Sequence, residues 1–97
     1  MPAEALTVEY RVEPAHPALQ GHFPGNPIVP AVLLVGFVAE TLARAGKRLR
    51  GVERMKFLRP VRPGEALDVT VRQIQSTKGA IEVAIDGELV AKGEWLS

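Results

Sequence analysis

Histidine is the residue of this chain best suited to proton transfer near neutral pH, because its ordinary pKa is about 6.5. The chain has two histidines and no cysteine. His22 lies in a segment dense in Pro and Gly, just before the longest apolar stretch, whereas His16 lacks that context and is interpreted as a loop residue. Taken alone, a histidine beside a Pro-Gly loop is more often structural than catalytic. Without cysteine, thiolate nucleophiles, disulfides and thiolate metal ligands are excluded, and no metal site is predicted.

Length and charge exclude several classes of protein. Ninety-seven residues allow a single domain, 1–97, and 46% hydrophobic with 24% charged residues is ordinary for a globular protein. The net charge of +1 lacks the dense positive field that nucleic-acid binding needs. The apolar stretch from Ile28 to Ala39 is shorter than a membrane span and contains Pro30 and Gly36. We expect a cytoplasmic protein with neither a nucleic-acid partner nor a membrane partner.

Alternating polar and apolar residues predict strands that must carry the candidate site. Leu6, Val8, Tyr10 and Val12 share one face of a first strand that Pro14 ends. Further strands are predicted over Val52–Leu58, Ala66–Gln75, Ala80–Asp86 and Glu88–Leu96. Turns are predicted at three pairs of residues, Pro63-Gly64, Lys78-Gly79 and Asp86-Gly87.

One helix is predicted between the first strand and the others. Residues 15–29 contain several Pro and Gly residues, which favours a fixed irregular loop. Pro30 suits the first helical position, and Ala31–Ala45 can run to Gly46 as the C-terminal cap. Because the helix is apolar on every side as far as Ala39, we expect other structure to enclose it. The order of elements predicts an α+β fold in which an antiparallel sheet wraps one helix.

Two motifs resemble those of the hotdog-fold 3-hydroxyacyl-acyl-carrier-protein dehydratases. The first runs His22-Phe23-Pro24-Gly25-Asn26-Pro27 and continues into the apolar residues Ile28 to Leu34. The second runs Phe57-Leu58-Arg59-Pro60-Val61-Arg62-Pro63-Gly64-Glu65. The resemblance extends from about His16 to the end of the chain, and it implies the hotdog fold, in agreement with the periodicity.

The resemblance implies removal of water from a 3-hydroxyacyl thioester to give a 2-enoyl thioester. His22 is the implied general base, and Phe23 packs the loop that holds its imidazole. The free N–H of Ala31, left by Pro30 at the helix start, is the implied donor to the thioester carbonyl, where the helix dipole also acts. Implied substrate contacts lie along the motif, at Phe23, Gly25, Pro30, Ala31, Val32 and Gly36. No cofactor is implied, since the substrate arrives on phosphopantetheine.

The chain departs from the resembling enzymes at Gly36, where they carry the Glu or Asp that protonates the departing hydroxyl. Glu40 is the nearest helical carboxylate, one turn further along the same face, about 6 Å away. It either replaces the missing acid or is an ordinary solvated residue. Gly36 itself either widens a tunnel for the acyl chain or marks a close contact between helix and sheet.

Basic residues cluster between Arg44 and Arg62, opposed only by Glu53. They are either a solvated rim or a docking patch for an acidic acyl carrier protein, for which the candidates are Arg48, Arg50, Arg54, Lys56 and Arg59.

We therefore expect a homodimeric or larger dehydratase acting on acyl carrier protein or acyl-CoA substrates, in fatty acid, polyketide or polyene-type synthesis. A non-catalytic acyl-binding or carrier-binding subunit, or half of a heterodimer with a paralogue, is the alternative that follows from Gly36. Thioester hydrolysis on the same fold ranks lower.

Overall fold

The computed structural model describes residues 5–15 and 28–97. In chain order these contain β1 (Ala5–Arg11), α1 (Ala31–Arg44), β2 (Gly51–Phe57), β3 (Ala66–Gln75), β4 (Lys78–Ile85) and β5 (Glu88–Leu96). The strands form one antiparallel sheet in the order β1-β3-β4-β5-β2. The α+β prediction is confirmed, and β3 and β5 have the predicted bounds. The sites predicted at His22, Phe23 and Gly25 lie outside the described residues, as does His16, which was interpreted as a loop residue.

The core lies between α1 and one face of the sheet. Strand β4 alternates regularly, with Gly79, Ile81, Val83 and Ile85 buried and the residues between them partly exposed. The helix adds Leu34, Val38, Thr41 and Leu42 to the same core. Such alternation is expected of a sheet that buries only one face.

The turn predicted at Lys78-Gly79 is wrong, because both residues belong to β4 and the turn lies at Ser76-Thr77. A Cβ at Gly79 would overlap the Arg72 carbonyl oxygen and the Trp95 indole. Glycine is therefore required by the packing of Trp95, which is only 1% exposed, and not by a turn. The other two predicted turns are confirmed, since Gly64 and Gly87 have φ of 87° and 82°.

Helix α1 ends as Gly46 predicts but begins one residue later than predicted. Pro30 is the N-cap, with φ −63° and ψ 145°, and the first helical residue is Ala31. At the other end Ala45 is the C-cap, Gly46 has φ 79°, and the Lys47 N–H donates to the Leu42 carbonyl at 3.0 Å. This is the bonding of a Schellman motif, in which glycine accepts the left-handed conformation.

The described part of the chain does not enclose α1. Leu34 and Val38 are buried, but Val32 is 71% exposed and Gly36 and Glu40 are also exposed. Within residues 5–15 and 28–97 the sheet covers one side of the helix only, so enclosure of the other side by further structure stays a prediction. No helix in these two ranges has the length and apolarity that a membrane crossing needs.

Candidate active site

The start of α1 presents backbone N–H groups that the helix itself does not use. Leu33 N–H donates to the Pro30 carbonyl at 3.0 Å, but the amides of Ala31 and Val32 have no acceptor within the helix. Pro30 offers no side-chain cap, and the first turn contains no acidic residue. The partial positive charge of the helix dipole is therefore not offset by a carboxylate of that turn.

These amides lie beside an apolar cleft of about 320 Å³. The cleft lies between the helix start and the segment that follows β2, and its lining includes Val29, Ala31, Leu34, Phe57, Leu58 and Arg59. A hydrogen bond of 2.7 Å from the Val29 N–H to the Val61 carbonyl joins its two walls. Phe57 and Leu58 are 45% and 53% exposed, so an apolar surface leads into the cleft.

A charged cluster fastens the second wall of the cleft. The Arg59 guanidinium contacts the two Glu65 carboxylate oxygens at 3.3 and 3.0 Å, and Glu65 also accepts the Arg62 N–H at 2.8 Å. The hydrogen bond from Arg59 is the main reason that the pKa of Glu65 lies below its ordinary value. The same bond is the largest cause that raises the pKa of Arg59, and Glu88 is a further partner of Arg59 at 3.5 Å. This network fixes the Arg59 side chain beside Glu65 and Glu88 of the same chain.

Gly36 faces open space in the described structure. A Cβ at this position would meet nothing within 4 Å among the described residues, so packing against the chain's own sheet does not require glycine. Glu40, one turn along, is exposed, and its closest cationic partner is Arg44 at 3.9 Å. Position 36 therefore has room for a side chain among the described residues.

The candidate docking cations do not form one patch. Arg48 and Arg50 precede β2, Arg54 and Lys56 belong to it, and Arg59 follows it. Because seven extended residues span roughly 23 Å, the two ends of this set lie far apart. Arg59 lies beside the cleft at the helix start, whereas Arg54 and Lys56 line a different cleft. Within the described ranges, no group of three or more metal-ligating side chains is arranged to bind a metal ion.

Comparison with known proteins identifies the family. The model of the ApeI-like family, described as ApeI dehydratase, matches residues 2–94. The chain belongs to this family. The resemblance seen in the two motifs and the expected hotdog fold are thereby confirmed.

Individual relatives agree with the family assignment. The 3-hydroxyacyl-[acyl-carrier-protein] dehydratase FabZ of Acetivibrio thermocellus is 38% identical over 92 residues, which is 80% of this chain and 63% of that protein. The FabZ of Myxococcus xanthus is 32% identical over 114 residues, covering 100% of this chain and 74% of that protein. This chain thus spans less than two thirds of the first of these relatives.

Among solved structures, the dehydratase heterocomplex ApeI:P from Xenorhabdus doucetiae matches with a TM-score of 0.77 and 23% identity. The match covers 95% of this chain and 85% of that one. It supports the fold, and the chemistry must be argued from residues.

Proposed function

We propose that this protein removes water from a 3-hydroxyacyl thioester bound to an acyl carrier protein and produces the trans-2-enoyl thioester. The observation that carries the proposal is the uncapped start of α1, whose amides open onto an apolar cleft, in a chain of a dehydratase family. In the proposed reaction a base takes the proton at C2, the C2–C3 double bond forms, and the C3 hydroxyl leaves as water with a proton from an acid. The substrate carries its own phosphopantetheine, and the reaction as proposed uses no other cofactor.

The Ala31 N–H is proposed to hold the thioester oxygen as negative charge develops on it. The helix dipole and the lack of a competing acceptor in the first turn both favour an anion at this point. Because the donor is a backbone group, the side chain at position 31 changes the space around the thioester and leaves the hydrogen bond unchanged. We assign the base to His22 on its motif, with Phe23 and Gly25 as loop residues that contact the substrate.

The proton must come from another group, because Gly36 has no side chain to supply it. Glu40 is one candidate, and it lies on the same exposed face as Gly36 and Val32. The other source is a carboxylate of a partner subunit, either a second copy or a paralogue. General acid assistance contributes roughly 10²- to 10⁴-fold in rate, so a chain without it turns over slowly.

The test follows enoyl product by mass with 3-hydroxybutyryl- and 3-hydroxyoctanoyl-carrier-protein substrates. Wild type is expected to turn over, and His22→Ala to lose roughly 10²-fold or more. Gly36→Glu is expected to raise the rate, since a Cβ there meets no described atom. Gly36→Gln is the matched control, with the same size and no acidic proton. Loss of activity in Glu40→Gln with no gain in Gly36→Glu would assign the acid to Glu40.

A non-catalytic subunit is the second candidate, and the exposed Gly36 is the observation that favours it. It predicts binding of the acyl carrier without turnover, or turnover only after mixing with a paralogue that supplies the carboxylate. Free acid as the sole product would instead indicate a thioesterase.

We propose that a second subunit covers the exposed face of α1. Val32, Gly36, Ala39 and Ala43 follow one another at helical spacing, and within the described ranges three of them are exposed and Ala39 is partly exposed. A dimer of two copies is the form we propose for the isolated protein, tested by light scattering after gel filtration. A monomer at micromolar concentration would contradict it.

We propose that the carrier approaches the cleft at the helix start from the side of Arg59. Arg48 and Arg50 lie before the other end of β2 and outside this approach. Arg62→Glu, on the same loop, is expected to raise KM for carrier-bound substrate, and Arg48→Glu is the matched control. An equal effect of both variants on KM would indicate attraction by the overall positive charge of the protein and no docking at one place.

We propose that the protein is cytoplasmic, where carrier-bound thioesters are made and where a chain without cysteine needs no oxidant.

A further inference from the structure

The face of the sheet turned away from α1 has a cleft of its own. It has a volume of about 470 Å³, and its lining includes Arg54, Lys56, Ala80, Glu82, Lys92 and Glu94. Ala80 and Glu82 alternate along β4 with the buried Gly79, Ile81 and Val83, which places them on the outer side. We call this the outer-face cleft. It is separate from the cleft at the helix start, because no lining residue is shared.

Two lysines face each other directly in the outer-face cleft. Lys56 of β2 and Lys92 of β5 are partners in the strand register. Side chains at such positions have Cβ atoms roughly 5 Å apart, and like charges placed there destabilise a sheet. An anion bound between the two ammonium groups would relieve this repulsion.

Two carboxylates, Glu82 and Glu94, also line the outer-face cleft, and Glu82 is the register partner of Lys92 on the β4 side. Glu82 forms its ion pair with Arg72 at 3.3 Å, and Glu94 forms its ion pair with Lys78 at 3.4 Å. Within the described ranges, the ion pairs closer than 4.0 Å include none made by Arg54, Lys56 or Lys92. These three cations therefore border the cleft without an ion pair of their own, beside two carboxylates that are each paired with another cation.

Arg54 lines the outer-face cleft at a point where β2 is irregular. The register with β5 shifts between Glu53 and Lys56, and Arg54 has φ 53°, a left-handed conformation that is costly for arginine. Gly93 makes the irregularity possible, because a Cβ there would lie 2.6 Å from the Met55 sulfur. A bulge of this kind redirects a side chain, here one whose guanidinium matches phosphate geometry.

We propose that the outer-face cleft binds the phosphate or diphosphate group of a small phosphorylated molecule. Two opposed ammonium groups and one guanidinium supply the charge, and the volume lies in the range of small-ligand sites. The cleft is concave, so it fits a small anion better than the convex surface of a carrier protein. This assignment removes Arg54 and Lys56 from the carrier-docking set, and it does not depend on the proposed dehydratase reaction.

The experiment measures binding of inorganic phosphate and pyrophosphate to the full chain by calorimetry, at an ionic strength held constant with sodium chloride. Wild type is expected to bind pyrophosphate saturably at one site per chain, more tightly than phosphate. Arg54→Gly and Lys92→Gln are each expected to weaken pyrophosphate binding about tenfold, the loss of one charge-assisted contact. Glycine accepts positive φ, so Arg54→Gly keeps the local fold.

Arg48→Gln is the control, since it removes one positive charge outside the outer-face cleft. Its pyrophosphate affinity is expected to stay within twofold of wild type. Binding that is not saturable, or that weakens equally in Arg48→Gln, would overturn the proposal. So would loss of carrier-protein binding in Arg54→Gly and Lys92→Gln without any pyrophosphate binding, since the cleft would then be a protein contact.

Discussion

The two faces of α1 differ in what surrounds them. Leu34, Val38 and Leu42 on one face are at most 1% exposed and pack against the sheet. Val32, Gly36 and Glu40 on the other are exposed, although two of the three have no charge. A soluble helix usually places polar residues on its outer face. The contrast indicates that the buried face holds the fold, whereas the outer face is the one that we propose a second subunit covers.

The largest expected difference between the two faces of α1 is the loss of stability in Leu34→Ala compared with that in Val32→Ala. Leu34 is 1% exposed, so its truncation leaves a cavity and is expected to lower the free energy of unfolding by about 2–5 kcal/mol. Val32 is 71% exposed, and its truncation is expected to cost less than about 0.5 kcal/mol in dilute protein.

Urea unfolding at two protein concentrations makes the measurement. The cost of Val32→Ala is expected to grow with concentration if a second subunit covers this face, whereas that of Leu34→Ala stays constant. Equal costs in dilute protein would show that both faces are buried within one chain, and the comparison would then be wrong.

The buried face also contains one polar contact. The Thr41 hydroxyl donates to the Phe37 carbonyl at 2.7 Å and so must accept the Tyr10 hydroxyl at 2.8 Å, while Tyr10 stacks on Phe37 with centroids 4.5 Å apart. Tyr10→Phe keeps the stacking and removes one hydrogen bond, so it is expected to lower the unfolding free energy by about 1 kcal/mol.

Thr7→Val is the matched control for Tyr10→Phe, because it removes an exposed hydroxyl pair with Thr70 at 2.7 Å. Its cost, measured by the same unfolding experiment, is expected to be smaller. An equal or larger cost for Thr7→Val would contradict the idea that β1 is tied to the helix through Thr41.

On the outer face, Gly36→Ala is expected to stabilise the chain by about 0.5–1 kcal/mol. Glycine is unfavourable in a helix, and a Cβ at this position meets nothing within 4 Å among the described residues. Gly93→Ala, where the added Cβ meets Met55, is expected to have the opposite sign. Thermal unfolding of the two variants in dilute protein gives the signs, and a lower Tm for Gly36→Ala under these conditions would show that residues of the same chain pack on this face.

The sequence predicted the elements well where the signal was local. Strands β3 and β5 follow from alternation, and Gly46, Gly64 and Gly87 mark real turns because each needs positive φ. Gly79 misled the prediction, since the residue that demands it, Trp95, lies in another strand. The apolar pattern of α1 predicts that the helix needs cover on both sides, but it does not show which chain supplies the cover of the outer side.

Features of the candidate site could likewise be predicted only where they depend on residues that are close in the sequence. The free amide of Ala31 depends only on Pro30 and the helix start, so motif and structure agree on it. The separation of Arg54 and Lys56 from Arg59 depends on strand pairing. The opposition of Lys56 and Lys92 comes from a register that no single segment encodes.

The smallest expected effect concerns the wall of the cleft beside the helix start. Because Arg59 lowers the pKa of Glu65, the native state favours the carboxylate. A carboxyl with a lowered pKa contributes stability above its ordinary pKa of 4.5, and that contribution disappears as the pH falls through the native pKa. Both side chains are about one-third exposed, so solvent screening keeps the effect small. Glu65→Gln is therefore expected to be slightly less stable than wild type at pH 7, by a difference that shrinks as the pH falls below the ordinary pKa of 4.5. Unfolding measured at pH 7 and at pH 3 checks this, and a difference that is as large at pH 3 as at pH 7 would mean that Glu65 acts through packing.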